Sequence, residues 1–200
     1  MNNTPEKRKA RQDDVYTAAA KLFAQKGYHA TRMQDIADEL GLLKGSLYYY
    51  FSSKEELLLN LTQGHIEEAI TAVSGILATG YTPTEKLTLA IDEHLRLYQE
   101  HAHIYAIFMQ ENLRLINRDT AVQVDTLTKQ YEQLWAQILR AGVDAREFAP
   151  DLDIEVTVKA ILSMCNNTIN WYNPHGRVPI RELARIFANL ILKGVTSNEQ

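Results

Sequence analysis

Residues 31–58 read TRMQDIADELGLLKGSLYYYFSSKEELL, and this stretch decides the fold. Thr31 is a good N-cap residue with Gln34 three places on, the spacing of a capping box, so a helix is expected from about Arg32. Met33, Ile36, Ala37 and Leu40 recur at i, i+3, i+4 and i+7, which buries one face and turns Arg32, Gln34, Asp35 and Asp38 outward. Gly41 supplies the left-handed backbone that ends such a helix. A second short helix is expected over residues 44–51, with Leu47 and Phe51 packed inward and Lys44, Gly45, Ser46, Tyr48, Tyr49 and Tyr50 largely outward. Ser53 and Glu56 form a further capping box that opens a third helix. Two short helices about a glycine turn are the arrangement that lays one helix in the major groove of double-stranded DNA.

The outward residues have chemistry suited to that groove. Lys44 and Lys54 can pair with phosphates, tyrosine hydroxyls can donate to phosphate oxygens, and Gly45 permits close backbone approach. Ser46 and Tyr48 are placed to read base edges or thymine methyls. Tyr50 fits either this surface or the core of a small helical bundle. With the residues at the two helix starts included, the expected DNA-facing set is Thr31, Arg32, Leu43, Lys44, Gly45, Ser46, Tyr48, Tyr49, Tyr50 and Lys54.

These residues resemble the DNA-binding domain of TetR-type bacterial transcriptional regulators. The likeness is carried by Thr31, Ile36-Ala37, Gly41, Lys44-Gly45-Ser46-Leu47-Tyr48, Tyr50-Phe51 and Ser53-Lys54-Glu55-Glu56-Leu57. The departure is Leu43, where members of the family usually carry a Ser or Thr that caps the recognition helix and touches a phosphate. A second likeness lies near the end of the chain. Trp171-Tyr172-Asn173-Pro174-His175-Gly176 is similar to the ending of a subgroup that includes repressors of fatty-acid, phenylacetate and sterol-ring degradation. The resemblance implies an all-α protein that reads a palindromic operator as a homodimer and is released by a small-molecule effector, an acyl-CoA thioester in several relatives. The alternatives are a repressor gated by a fatty acid or neutral apolar compound, and an effector-independent regulator acting through a protein partner.

Composition is compatible with this reading. A chain of 200 residues with 46% hydrophobic content can fill a small DNA-binding domain and a larger helical one, expected at residues 1–52 and 53–200. The net charge of −4 is unevenly spread: residues 1–60 carry a net positive charge, and Lys7, Arg8, Lys9 and Arg11 cluster ahead of the first helix. That cluster reads either as a solvated tail or as an arm adding phosphate or minor-groove contacts. The single cysteine, Cys165, excludes a disulfide framework and a cysteine-based zinc site. No apolar run has the length of a signal peptide or a membrane span, so a cytoplasmic location with no membrane partner is expected.

The rest of the chain shows only helical periodicity. One helix carries Val15, Ala18, Ala19, Leu22 and Phe23 and ends at Gly27; another starts at Ser53 and runs to about Leu77. Thr82, Pro83 and Glu85 open a helix with Leu87, Ile91, Leu95 and Tyr98 on one face. Ile104, Phe108 and Leu115 mark the next, and Leu127, Tyr131, Leu134, Trp135 and Ile138 a longer one that breaks near Gly142 and Pro150. From about Asp153 to Tyr172 the apolar residues occupy more than one face, with Val156, Ala160, Met164 and Trp171 apart from Val158, Ile161, Leu162 and Cys165. The last helix repeats this, with Ile186 and Leu190 off the face made by Leu183, Ala184, Phe187 and Ile191. Two such helices from each of two subunits make an isologous four-helix interface.

The expected effector pocket is walled by Tyr98, Tyr105, Phe108, Met109, Tyr131 and Trp135, with Asn166 and Asn170 as orienting amides one turn apart. Lys129, Arg140, Lys159, Arg114, Arg118 and Arg177 are the cations available to a CoA phosphate. An enzymatic reading rests on Glu100 and His103, an E-x-x-H pair of the kind used in di-iron bundles, but such sites need two pairs and two further glutamates. No catalytic residue, metal site or cofactor is therefore expected.

Overall fold

The computed structural model describes the backbone of residues 5–102 and 118–196, with side chains described for residues 12–102 and 122–196. The helix expected around Ile104, Phe108 and Leu115, with His103, Tyr105, Met109 and Arg114, lies outside the described residues, as do the side chains of the basic cluster at residues 7–11, whose backbone is part of the first helix instead of preceding it. Among the described residues there are eight α-helices: α1 (Pro5–Lys26), α2 (Met33–Glu39), α3 (Lys44–Tyr48), α4 (Lys54–Leu77), α5 (Pro83–Glu100), α6 (Arg118–Asp144), α7 (Ile154–Asn166) and α8 (Ile180–Val195). A 3-10 turn, Asn167–Asn170, follows α7. No helix among them is long and apolar enough to cross a membrane.

The described chain falls into two compact units. One takes the chain up to Gly64 with the start of α6, and the other takes His65–Ala102 and the chain from Asp125 onward. The first core is built from Val15, Ala19 and Phe23 of α1, Ile36 and Ala37 of α2, Leu47 of α3 and Phe51. Leu57, Leu58 and Leu61 of α4 belong to this core too, so it extends beyond residue 52. Their burial removes the apolar face of each short helix from water, the main source of stability for helices this brief.

Caps decide where the helices stop. After α2, Gly41 takes φ +63°, the Leu42 N–H donates to the Ala37 carbonyl and the Gly41 N–H to that of Asp38, a Schellman closure. Gly27 ends α1 with φ +84° and a single closing bond, its N–H donating to the Phe23 carbonyl. Thr82 and Glu85, expected to open a helix, form a capping box at the start of α5, each bonding the other's backbone N–H.

The second core packs α5 against α8 and the middle of α6 against α7, with Leu87, Ile91, Leu95, Trp135, Ile138 and Cys165 at its centre. Burial pushes the Cys165 thiol up to about 12, so it is an unreactive packing residue. The helix expected to break near Gly142 and Pro150 ends at Asp144, two residues past the glycine. Gly142 is required for packing: a Cβ there would lie 2.1 Å from the buried Phe148 ring. The chain turns two residues past the helix, at Arg146, with φ +61°.

Candidate DNA-binding surface and effector core

The first unit anchors the short helix α3 from one side. Leu47 is fully buried and Phe51 nearly so, while the opposite side of α3 stays in solvent: Leu43 is 81% exposed and Tyr49 64%, and Lys44, Gly45, Ser46 and Tyr48 are exposed beside them. The Lys44 ammonium lies 5.7 Å from the centre of the Tyr48 ring, a cation held over an aromatic on the outer face. Leu43 starts α3 with extended backbone and no side-chain cap, so the hydroxyl usual in the family is replaced by an exposed apolar group. Tyr50 is half-buried against the first core, so of its two readings the structure favours packing.

Two residues of the expected DNA-facing set have internal work. Thr31 is buried, and its hydroxyl donates to the carbonyls of Gly27 at 2.8 Å and Leu22 at 3.3 Å. The N-cap of α2 is Arg32, whose N–H is accepted by Asp35 at 2.8 Å. Threonine can bond backward to the carbonyl four residues earlier as readily as forward into a cap, and here the turn at Gly27 offers that carbonyl. Lys54 is the second correction: its ammonium donates to the carbonyls of Tyr28 at 2.7 Å and Thr31 at 3.0 Å, and sits 4.2 Å from the Tyr28 ring centre. It ties α4 to the turn after α1, which no local pattern in the sequence reveals. Arg32 remains exposed at the start of α2. The Asp35 carboxyl is held below its ordinary range, first by the Arg32 N–H and then by Lys26, whose ammonium is 3.4 Å away.

The second unit buries a polar aromatic cluster. His94, fully enclosed, places Nδ1 2.8 Å from the Tyr131 hydroxyl and Nε2 3.0 Å from the Asn166 side-chain oxygen. That oxygen only accepts, so Nε2 carries the proton and Nδ1 accepts from Tyr131. The Tyr98 hydroxyl donates to the Asn166 carbonyl. Trp135 meets the His94 ring edge to face, and its buried indole N–H has no hydrogen-bond partner among the described residues. Burial pushes the His94 imidazole down to about 4, keeping it neutral. Four expected pocket residues, Tyr98, Tyr131, Trp135 and Asn166, are thus brought together. Tyr105, Phe108 and Met109 lie outside the described residues.

Asn170 does not join them. The α-helix ends at Asn166, the 3-10 turn rotates Asn170 into solvent, and its amide donates to the Asn167 side chain at 2.9 Å. Its place is taken by His94, a polar residue at helical spacing on the face of Leu87, Ile91, Leu95 and Tyr98, whose part in the cluster is set by its enclosure. Three of the cations considered for a phosphate, Lys129, Arg140 and Lys159, line one groove of about 290 Å³ along α6 and α7. Glu132 and Glu155 share it, and Lys159 is 2.6 Å from Glu155.

The two-faced character expected of the last helices is present. Val158, Ile161, Leu162 and Cys165 of α7 and Leu183, Ala184, Phe187 and Ile191 of α8 are buried, whereas Val156 is 61% and Leu190 62% exposed, with Ile186 and Ala160 also in solvent.

Residues 15–61 match the family profile described as "Bacterial regulatory proteins, tetR family", and residues 80–195 match "Tetracyclin repressor-like, C-terminal domain". The chain belongs to the TetR family. Among its TetR relatives, the HTH-type transcriptional repressor KstR2 of Mycolicibacterium smegmatis is 31% identical over 98% of this chain and 96% of its own. The fatty acid metabolism regulator protein of Bacillus subtilis is 26% identical over 90% of this chain and 93% of its own. The solved structure of the ketosteroid transcriptional regulator KstR2 of Mycobacterium tuberculosis superposes with a TM-score of 0.81 at 27% identity, covering 99% of this chain and 98% of that one. A TetR protein is a DNA-binding transcriptional regulator, not an enzyme. The N-terminal TetR profile spans α2 and α3 and reaches the first turns of α4, the elements that share the first core.

Proposed function

We propose that this TetR-family chain is a repressor that binds a palindromic operator as a cytoplasmic homodimer and releases it when an acyl-CoA thioester occupies the second unit. The observation that carries the DNA half is the exposed face of α3, where a cation, two tyrosines, a glycine and a serine stand clear of a helix anchored by Leu47 and Phe51. Lys44 and Tyr49 take phosphates, Ser46 and Tyr48 face base edges, Gly45 permits close approach, and Leu43 meets an apolar group in the groove. Arg32 flanks them at the start of α2. In this division residues 1–52 read DNA and residues 53–200 bind effector and partner. The solvent-facing apolar rows of α7 and α8 are the pairing surface, which sets the two readers about 34 Å apart.

The effector half is supported by the His94–Tyr131–Asn166 network beside an unpartnered Trp135 N–H, within an otherwise apolar core. The three-cation groove offers a place for CoA phosphates. Relatives named for ketosteroid regulation and for fatty acid metabolism support an effector that is apolar over much of its length. One observation favours a second reading, a fatty acid or neutral apolar effector: Lys159 is already paired with Glu155, and Glu132 lies in the same groove.

The test is fluorescence anisotropy of the purified protein on its own upstream intergenic DNA at fixed salt, with short, long and aromatic acyl-CoAs and the matching free acids. Release by one thioester class supports the proposal. Release by free acids alone moves the effector to the second reading, and no binding to the DNA overturns the operator assignment.

A further inference from the structure

We infer that His65, Glu68 and His101 form a site for a single divalent transition-metal ion of the zinc class. His65 and Glu68 lie three residues apart on α4, a spacing that puts both on one face of the helix, and His101 is the C-cap residue of α5. One potential ligand atom from each of the three lies within 4.8 Å of the other two. The Glu68 carboxylate is 3.2 Å from His101 Nε2 and 3.9 Å from His65 Nδ1, and the two imidazole centres are 3.9 Å apart.

The carboxylate-to-imidazole distances are close to those of a metal site, whereas the two ring centres would spread to about 5 Å apart on a tetrahedral ion. With bonds of about 2.0 Å to nitrogen and oxygen, the donor atoms of a tetrahedral ion stand about 3.3 Å apart. His101 Nε2 is itself buried and makes no well-formed hydrogen bond, although the carboxylate is close. Two imidazoles and one carboxylate suit zinc, cobalt, nickel or ferrous iron and are too few and too nitrogen-rich for calcium or magnesium. Three protein ligands leave a fourth position for water or an anionic group. A bound ion would pin the end of α5 to α4, the helix that starts at Lys54 beside the DNA-reading elements. The inference stands apart from the effector assignment, because it uses none of the His94 cluster.

The experiment uses the full chain without a histidine tag, stripped with chelator and dialysed against zinc, with cobalt as a spectroscopic probe. The expected result is one ion per chain at micromolar metal, a tetrahedral cobalt spectrum, and a raised Tm. Glu68→Gln, which keeps the side-chain shape, and His101→Ala each weaken binding by about tenfold or more. His175→Ala, at an exposed loop position, leaves it unchanged. No binding at micromolar metal, or equal affinity in both ligand variants, overturns the site.

Discussion

The Tyr131 hydroxyl stands 2.8 Å from Nδ1 of His94, in a core where the imidazole is almost wholly shut off from water. Burial lowers the His94 pKa from the ordinary 6.5 to about 4, so the unfolded chain binds a proton in a range where the folded chain does not. Stability should therefore be insensitive to this group above pH 6.5, fall as pH drops from 6.5 towards 4, and level off below. The full loss is about 3 kcal/mol from this residue. Tm measured across that window should slope downward on acidification for the native chain, and the slope should shrink in His94→Gln. An unchanged slope would show that other groups dominate acid unfolding.

Lys44→Ala should weaken operator binding across sequences and reduce the slope of log affinity against log salt by about 1, because one phosphate contact is lost. Tyr49→Phe removes only a hydroxyl and should cost about 1 kcal/mol of binding with the salt slope retained. Both side chains are exposed, so melting curves should match the native chain.

Lys54→Met should behave in the opposite way. The ammonium satisfies two backbone carbonyls in the turn after α1 and stacks on Tyr28, so its loss should destabilise the first unit by about 1–3 kcal/mol. Operator affinity of the remaining folded protein should keep its salt slope. A reduced slope with normal Tm would return Lys54 to the DNA surface.

Gly142→Ala should lower stability by about 1–3 kcal/mol, because the added methyl meets the Phe148 ring with no space to move into. Shrinking the ring in Gly142→Ala/Phe148→Leu should recover part of that loss in a thermal melt. Simple additivity of the two costs would argue against the close contact.

Leu190→Glu puts a charge in the middle of the exposed apolar row of α8 and should convert a dimer to a monomer in sedimentation. Operator affinity should fall with it, since one head reads only one half-site. A dimer that persists would place the pairing surface elsewhere.

The all-α class, the helix-turn-helix and the two-faced terminal helices are legible in local pattern alone. These are local properties: Met33, Ile36, Ala37 and Leu40 state their face by spacing, Gly41 states its turn, and Thr82 with Glu85 states a cap. The outward position of Val156, Ile186 and Leu190 was legible for the same reason, because helical period assigns faces without knowing the neighbours. What each polar side chain serves depends on packing between distant segments. Thr31 and Lys54 read as groove contacts until the turn at Gly27 and the carbonyls of Tyr28 and Thr31 came within reach. Asn170 leaves the core because α7 ends at Asn166, one turn earlier than its apolar pattern, and His94 gains its part from partners on two other helices. The same holds for Glu68 and His101, which belong to different helices and meet only when α5 folds back along α4. Spacing encodes the face a residue occupies, whereas the partner across that face is set by packing between segments distant in the chain.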